Sequence, residues 1–267
     1  MPSAPAKRPR VHDEPAFVLH SHDWSEASLI LEVFSRRHGR VVLVAKGVKR
    51  PSSQFRPVLL PLQPLRLGWG GEAEVRTLKS AHWQGGHVMP AGDALLAGYY
   101  LNELLLKLLA RDDPHPALFD VYARAVAALA ASAARDDPLA EQAAVLRSFE
   151  LLLLREAGLL PDLAEEGGRL LPLDPAAHYR LTPEGGLLPA HHDQAPSSPG
   201  ALWQALQAAL DADDPAAALL PLCRSDRGGL RQQLRQLLHY HSGVRVFQTR
   251  QFMVDVQRLG SGRHAPA

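Results

Sequence analysis

The sequence predicts an α+β protein in which an N-terminal β-barrel precedes an α-helical domain. Up to about residue 85 the apolar residues form short runs separated by Gly, Pro, Ser or Asp, a pattern typical of strands. Beyond that point they recur at helical spacing. The chain has 267 residues and is 46% hydrophobic, which suffices for a core in both parts and excludes wholesale disorder.

Five segments between residues 16 and 81 are predicted to be strands. They are AFVLH (16–20), SLILEVFS (28–35), GRVVLVAKG (39–47), PVLLPLQPLRLGWG (57–70) and AEVRTLKSA (73–81). In VVLVA the apolar residues run on without alternation, which suits a strand buried on both faces. Five antiparallel strands of this size fit an OB-fold barrel, and an SH3-like barrel fits the strand count almost as well.

Wide apolar stripes predict helices in the remainder of the chain. The three longest are AGDALLAGYYLNELLLKLLARDD (91–113), ALFDVYARAVAALAAS (117–132) and PLAEQAAVLRSFELLLLREAG (138–158). Stripes this broad must pack against one another, so a helical domain is expected. ALWQALQAALDADD (201–214) resumes the pattern, with further helices near 226–241 and 249–259.

These patterns divide the chain into segments. The predicted segments are a flexible basic tail over 1–13, an OB-fold domain over 14–85, a helical domain over 86–257 with a Pro/Gly-rich insert at about 161–200, and a flexible tail over 258–267. The single cysteine, Cys223, excludes an intramolecular disulfide and a thiolate metal site, and indicates a reduced, cytoplasmic setting. The N-terminus is not a signal-peptide pattern, and no apolar run reaches the roughly 18 residues of a membrane span.

The net charge of +1 conceals a segregated distribution. Residues 1–85 carry 13 basic and 7 acidic side chains, residues 86–222 carry 8 and 19, and residues 223–267 carry 8 and 2. The three segments therefore have net charges of +6, −11 and +6. Because both ends are basic, the near-neutral total does not exclude a nucleic-acid partner.

A dense basic cluster falls within residues 36–56, which contain no acid. Its members are the predicted DNA-binding residues Arg36, Arg37, Arg40, Lys46, Lys49, Arg50 and Arg56. On a small barrel such a cluster suits a phosphate backbone, although solvated cations could also simply decorate the surface. The nearby aromatic residues Phe55, Trp69 and Trp83 could stack bases, and the alternative that they fill the barrel core is favoured.

A second basic feature lies near the C-terminus. Arg227, Arg231 and Arg235 fall on one helical face, continuing from Arg224 and towards His239. A neighbouring face carries leucines, so this ridge is a candidate site for DNA or for an acidic amphipathic peptide. A solvated helix face that offsets the acidic middle segment explains it equally well.

The sequence gives no positive sign of an enzyme. His20–Ser21–His22–Asp23 contains the residue types of a hydrolase triad, but adjacent residues on a turn cannot assemble one. His178, His191, His192 and the pair Glu165–Glu166 lie in or beside the insert without the ligand spacing of a structural zinc site. No catalytic residue, metal or cofactor is predicted.

Several motifs, in order along the chain, match one bacterial family. In the first part they are LILEVFS, HGRV, AKGVKRPSSQF and PLQPLRL. The second part adds YYLNELLLKLL (99–109), SFELLLLREAGLLPDL (148–163) and LRQLLHYHSGVRVFQTRQFM (234–253). Over about residues 15–257 the chain resembles the RecO family of recombination mediators. Some members carry a four-cysteine zinc site in the insert, but the stretch Leu163–His192 has none of those cysteines.

The resemblance implies a mediator of DNA repair and recombination in the RecF pathway. It implies binding of single- and double-stranded DNA, annealing of complementary strands, and cooperation with RecR in loading RecA, an indirect partner, onto DNA coated by single-stranded DNA-binding protein (SSB). The acidic, apolar-ended C-terminal tail of SSB is a further implied partner, with the Arg227–Arg231–Arg235 ridge as the hypothesis for its site. The implied location is the bacterial cytoplasm, at the nucleoid. The alternative is a repair adaptor without intrinsic annealing activity.

Overall fold

The computed structural model describes residues 10–191, 196–226, 229–249 and 251–252, and it begins with a closed five-stranded barrel. Its strands are β1 (Arg10–Asp23), β2 (Leu29–Ser35), β3 (Gly39–Ala45), β4 (Leu65–Gly70) and β5 (Val75–Trp83). They close in the order β1-β2-β3-β5-β4, and all neighbours are antiparallel except β3 and β5. This topology is that of an OB-fold barrel rather than an SH3-like one, and it confirms the predicted fold class.

The strand boundaries differ from the prediction in two places. β1 begins at Arg10, where it pairs with Gly70, so residues 10–13 are strand rather than tail. The predicted strand over 57–70 is regular only from Leu65. Prolines at 57, 61 and 64 explain the difference, because proline has no N–H to donate to a ladder.

The helical domain contains six α-helices in its described residues. They are α1 (Asp93–Leu108), α2 (Pro116–Ala131), α3 (Pro138–Glu156), α4 (Gly200–Leu210), α5 (Pro215–Ser225) and α6 (Gly229–Ser242). The carboxylates of Asp137 and Asp214 cap α3 and α5 by accepting from the amides of Ala140 and Ala217. The sequence did not predict α5, because Pro221 lies inside it.

The Pro/Gly-rich insert folds as a small sheet, which the sequence did not predict. Its strands are β6 (Glu165–Glu166), β7 (Leu171–Pro172), β8 (His178–Thr182), β9 (Gly186–Ala190) and β10 (Ser198–Pro199), in the order β10-β8-β9-β6-β7. Buried leucines at 163, 181 and 187 join this sheet to the helical core. The buried Gln233 of α6 accepts from the amide of Leu181 (2.7 Å) and donates to Ser198 Oγ (3.1 Å).

One stretch, Pro116–Ala134, is long and apolar enough to cross a membrane by length and composition, alone among the helices of the described residues. Its side chains at Phe119, Tyr122, Val126 and Leu129 are buried within the helical core. We therefore interpret it as the core helix of this domain.

The outer face of the barrel shares a core with the helices. The interior of the barrel is filled by residues such as Val18, Leu31 and Val33, and their neighbours Phe17 and Phe34 point outwards. The ring of Phe17 lies 5.0 Å from that of Tyr122, and the ring of Phe34 lies 5.4 Å from that of Phe119. The barrel and the helices are therefore joined through side chains of α2.

The backbones of the two parts approach closely at Gly39, the first residue of β3. Its φ of +65° is in the left-handed region, and a Cβ built there would lie 1.9 Å from the carbonyl oxygen of Asp113. The amide of Asp112 donates to the carbonyl of Arg40 at 2.8 Å, which fixes this approach. Only glycine satisfies both constraints.

We predict that Gly39→Ala lowers the free energy of unfolding by more than about 2 kcal/mol, because the methyl group adds a steric clash to an unfavourable φ. Chemical denaturation monitored by circular dichroism measures it. Gly158→Ala is the matched control, since Gly158 has φ +68° but nothing within 4 Å of its added Cβ. Equal losses in the two variants would contradict the close approach at Asp113.

Candidate nucleic-acid interface

Strand β3 divides the predicted basic cluster into two groups. Arg36, Arg37 and Arg40 lie at the start of this strand, and the other four residues follow its end. A seven-residue strand separates the two groups by roughly 20 Å at about 3.3 Å per residue. The seven basic residues, although close in sequence, therefore do not form one continuous surface.

Arg40 is a structural residue, which corrects its assignment to DNA binding. Its guanidinium is buried and donates to the carbonyls of Leu106 (2.6 Å) and Leu109 (2.7 Å), at the end of α1. It also pairs with the buried Glu32 at 3.4 Å. Burial lowers the pKa of Arg40, and the charge of Glu32 opposes that shift. These contacts give Arg40 a structural role and leave only 10% of its side chain exposed.

Arg36 and Arg37 are already engaged within the protein. Arg36 donates through Nε and Nη2 to the two carboxylate oxygens of Asp120 on α2, at 2.9 and 2.8 Å. Arg37 Nε donates to the fully buried Glu14 at 2.6 Å, and the second oxygen of that carboxylate accepts from the Arg37 amide. Each carboxylate offsets the charge of its arginine, and the Arg36–Asp120 pair joins this end of the barrel to α2. The side chains of Arg36 and Arg37 stay 42% and 60% exposed, so their assignment to DNA binding stays a prediction.

The other end of β3 carries the available cations. We call residues 46–56 the basic loop. Within the described residues Lys46, Arg50 and Arg56 are exposed and form no ion pair. Lys79 of β5 is also exposed and lies nearby, because the parallel register places Thr77 beside Val44. The basic loop contributes no residue to the helical core, so we call this the free end of the barrel, although Leu62, further along the chain, packs on Gly98 of α1.

The basic loop is held against the turn between β1 and β2, residues 24–28. The Lys49 amide donates to the carbonyl of Ala27 at 3.1 Å, and the Gly47 amide donates to Ser28 Oγ at 3.4 Å. Lys49 Nζ binds Asp23 at 2.7 Å and the carbonyl of Ser25 at 3.1 Å. The two loops therefore form one connected surface.

The aromatic residues divide between the core and the surface. Trp69 is 3% exposed and contributes to the barrel core, as favoured, and Phe55 is partly buried against that core. Trp83 is 53% exposed at the end of β5. Trp24, which the sequence pattern did not single out, is 66% exposed in the turn between β1 and β2. Its position between a predicted strand and a Ser-rich turn was the available signal.

The C-terminal ridge is divided between two helices. Arg224 ends α5 and pairs with Glu141 through two hydrogen bonds of 2.8 Å, and Arg227 lies outside the described residues. Arg231 and Arg235 are exposed on α6, where Arg235 Nε donates to His239 Nε2 at 3.1 Å. The adjacent leucines of α6 are buried in the core, so they offer no exposed apolar surface beside Arg231 and Arg235. The assignment of this ridge as a peptide or DNA site stays a prediction.

An apolar pocket lies elsewhere, between α2, α3 and α5. Its volume is about 190 Å³, and its lining includes Val121, Ala125, Phe149 and Leu220. Arg124 stands at its edge, where Nη1 donates to both carboxylate oxygens of Asp214, at 2.9 and 2.8 Å. Three helices form this pocket, and one of them is the unpredicted α5.

The other sequence candidates do not assemble into a reactive site. The rings of His20 and His22 pack edge to face at 4.3 Å, and Asp23 pairs with Lys49 rather than with either imidazole. Desolvation and the charge of His22 lower the pKa of His20. Within the described residues no three His, Cys, Asp or Glu side chains come together as a metal site. His192 lies outside those residues.

Comparisons with known proteins agree with this architecture. Residues 10–86 match the family described as "Recombination protein O N terminal", and residues 89–249 match "Recombination protein O C terminal". The relatives include proteins named "DNA repair protein RecO". The one from Polaromonas sp. (strain JS666 / ATCC BAA-500) is 58% identical over 94% of this chain and 98% of its own length. The one from Variovorax paradoxus (strain S110) is 60% identical over the same shares.

We predict that Asp120→Asn slightly destabilises the protein at neutral pH, by under about 1 kcal/mol because the pair with Arg36 is largely exposed. The hydrogen bond from Arg36 lowers the pKa of Asp120, so the contribution is complete above the ordinary pKa of aspartate. It is lost as the pH falls through the lowered value. Denaturation curves from pH 7 to pH 2.5 should show the free energies of unfolding of the parent and the variant becoming equal in acid.

Asp136→Asn is the control, since Asp136 is an exposed aspartate that forms no ion pair within the described residues. That variant should match the parent protein throughout the pH range. A difference between Asp120→Asn and the parent that persists in acid would show that charge pairing with Arg36 is not its cause.

Proposed function

Because the chain belongs to the RecO family of DNA repair proteins, we propose that it is a non-enzymatic recombination mediator that binds single- and double-stranded DNA and anneals complementary strands. With RecR, it helps to load RecA onto single-stranded DNA coated by SSB. The observation that carries the DNA-binding part is the basic loop at the free end of the barrel. We place this activity in the bacterial cytoplasm, at the nucleoid.

Phosphate binding at the basic loop follows from its exposed cations. Lys46, Arg50 and Arg56 have no competing acid among the described residues, so each can neutralise a phosphate and release counterions. Such contacts do not read sequence, as annealing of arbitrary strands requires. Lys79 extends the same surface onto β5.

The exposed arginines of α6 are proposed to hold a second strand. Arg231 and Arg235 are one helical turn apart, and no acid lies within α6. Annealing brings two polyanions together, so positive charge at two places offsets their repulsion. We retain Arg227 in this proposal on its sequence position alone.

The SSB tail is proposed to enter the apolar pocket between α2, α3 and α5. An acidic peptide with an apolar end needs a cation beside a hydrophobic cavity. Arg124 provides the cation, and the pocket beside Phe149 provides the cavity. Because Arg124 and Asp214 are both about half exposed, exchange of Asp214 for a peptide carboxylate costs little.

We predict that the combined substitution of Lys46, Arg50 and Arg56 by Glu weakens binding of a single-stranded oligonucleotide at least about tenfold at low salt. The slope of log affinity against log salt should fall by about 2, since about 0.7 counterions are released per phosphate on a single strand. Fluorescence anisotropy over a salt series measures both quantities. Annealing of complementary oligonucleotides should slow in parallel.

The matched control carries Arg135, Arg169 and Arg180 changed to Glu, which gives the same net charge on exposed sites of the helical domain. It should keep both the affinity and the slope. If the two triple variants behave alike, the basic loop is not the DNA site. If the parent protein binds no DNA and fails to anneal naked strands, the adaptor alternative replaces the mediator.

We predict that Arg124→Ala lowers the affinity for a synthetic SSB C-terminal peptide about tenfold, because a charge-assisted hydrogen bond of about 1.5 kcal/mol is lost. Isothermal titration calorimetry measures the affinity. Combined Arg231→Ala and Arg235→Ala should change it little. The opposite ranking of these variants would move the peptide site to α6.

A further inference from the structure

Trp24 presents the most exposed tryptophan side chain in the described residues. It is 66% exposed, whereas Trp69 and Trp203 are buried and Trp83 is 53% exposed. A single exposed apolar residue needs no functional explanation by itself. What distinguishes Trp24 is that its backbone is fixed and that the basic loop adjoins it on one side.

Hydrogen bonds fix the turn that carries this side chain. The Trp24 amide donates to the carbonyl of Ser28 at 3.2 Å. The Ser25 amide donates to the Ser28 carbonyl, and the Ser28 amide donates to the Ser25 carbonyl, both at 3.4 Å. The basic loop is hydrogen-bonded to the same turn, because the Lys49 amide donates to the carbonyl of Ala27. The indole is therefore held on an ordered base, so little entropy is lost when a ligand contacts it.

One side of the turn adjoins the basic loop, whose Lys49 pairs with Asp23 next to Trp24 in the chain. Lys49 Nζ contacts Asp23 and Ser25, the two residues that flank Trp24 in the chain. Lys46 and Arg50, on the same loop, remain available to phosphates. Glu26 is an exposed acid of the same turn, and its negative charge repels a DNA phosphate backbone that would pass on its side of Trp24. A polyanion is therefore steered across Trp24 from the side of the basic loop.

We propose that Trp24 stacks on an unpaired base and makes the free end of the barrel selective for single-stranded DNA over duplex. An aromatic face beside phosphate-binding cations is the arrangement that holds single strands without reading sequence. A base within a duplex is already stacked and paired, so its face is not available to the indole. This inference rests on the proposed DNA binding and names the residue that discriminates between the two kinds of DNA.

The stacking contact also bears on release of the annealed product. While a strand is single, the indole adds to the affinity that the cations supply. When the complementary strand pairs, the base leaves Trp24 and that part of the affinity is lost, while the phosphate contacts remain. The duplex is therefore held more weakly than the strand from which it formed.

The test compares Trp24→Ala and Trp24→Phe with the parent protein on a single-stranded oligothymidylate and on a duplex of equal length. Trp24→Ala should lose roughly 5- to 100-fold in single-strand affinity, the usual effect of removing a stacking aromatic residue. Trp24→Phe should retain most of the affinity, and duplex affinity should stay the same in all three proteins. An unchanged Tm shows that the variants are folded.

Tryptophan fluorescence identifies the stacking residue directly. Addition of oligothymidylate should quench the emission of the parent protein and of Trp83→Phe, and Trp24→Phe should lose most of that quenching. Quenching that survives Trp24→Phe but disappears in Trp83→Phe would overturn the proposal in favour of the other exposed indole.

Two failures are distinguishable. If the parent protein binds neither DNA, the proposed function itself fails. If the parent binds single strands but Trp24→Ala binds them equally well, or loses affinity for duplex to the same extent, only the role of Trp24 is overturned.

Discussion

Where β1 and β2 pair through Phe17–Phe34 and Val18–Val33, they bury apolar side chains on both faces, and the joining of the barrel to the helices depends on this. Val18 and Val33 fill the barrel, and Phe17 and Phe34 pack on aromatic side chains of α2. A barrel with such an outer face is not stable alone in water, because large aromatic surfaces would be exposed. The helices are therefore part of the folding unit, and one end of the barrel is committed to them.

The packing of one end of the barrel on the helices determines which arginines and lysines have structural roles. At the buried end an arginine contributes to packing and capping, as Arg40 does when it binds the last carbonyls of α1. At the free end the same charge remains hydrated and accessible. Arg36 and Arg50 have the same chemistry, but only Arg36 has a carboxylate in place, that of Asp120. The electrostatic surface follows from the packing rather than from the composition of the segment.

Much of this could be predicted from the sequence. The barrel, the long helices and the family are evident because strong hydrophobic periodicity and local motifs carry them. The insert sheet was missed because its strands are only two to five residues long, and α5 was missed because of Pro221. The apolar pocket and the role of Arg40 could not be predicted, since each depends on residues far apart in the chain. Trp24 was overlooked because it lies between two predicted strands, in a turn to which no function was assigned.

The insert sheet has one more consequence, which concerns how the protein avoids self-association. Its two edges are β7 and β10, each only two residues long and each ending in a proline, Pro172 and Pro199. A proline offers no N–H, and a two-residue edge is too short to template a strand from another chain. The one open sheet of the described residues is thereby protected against edge-to-edge pairing with a second copy of the chain.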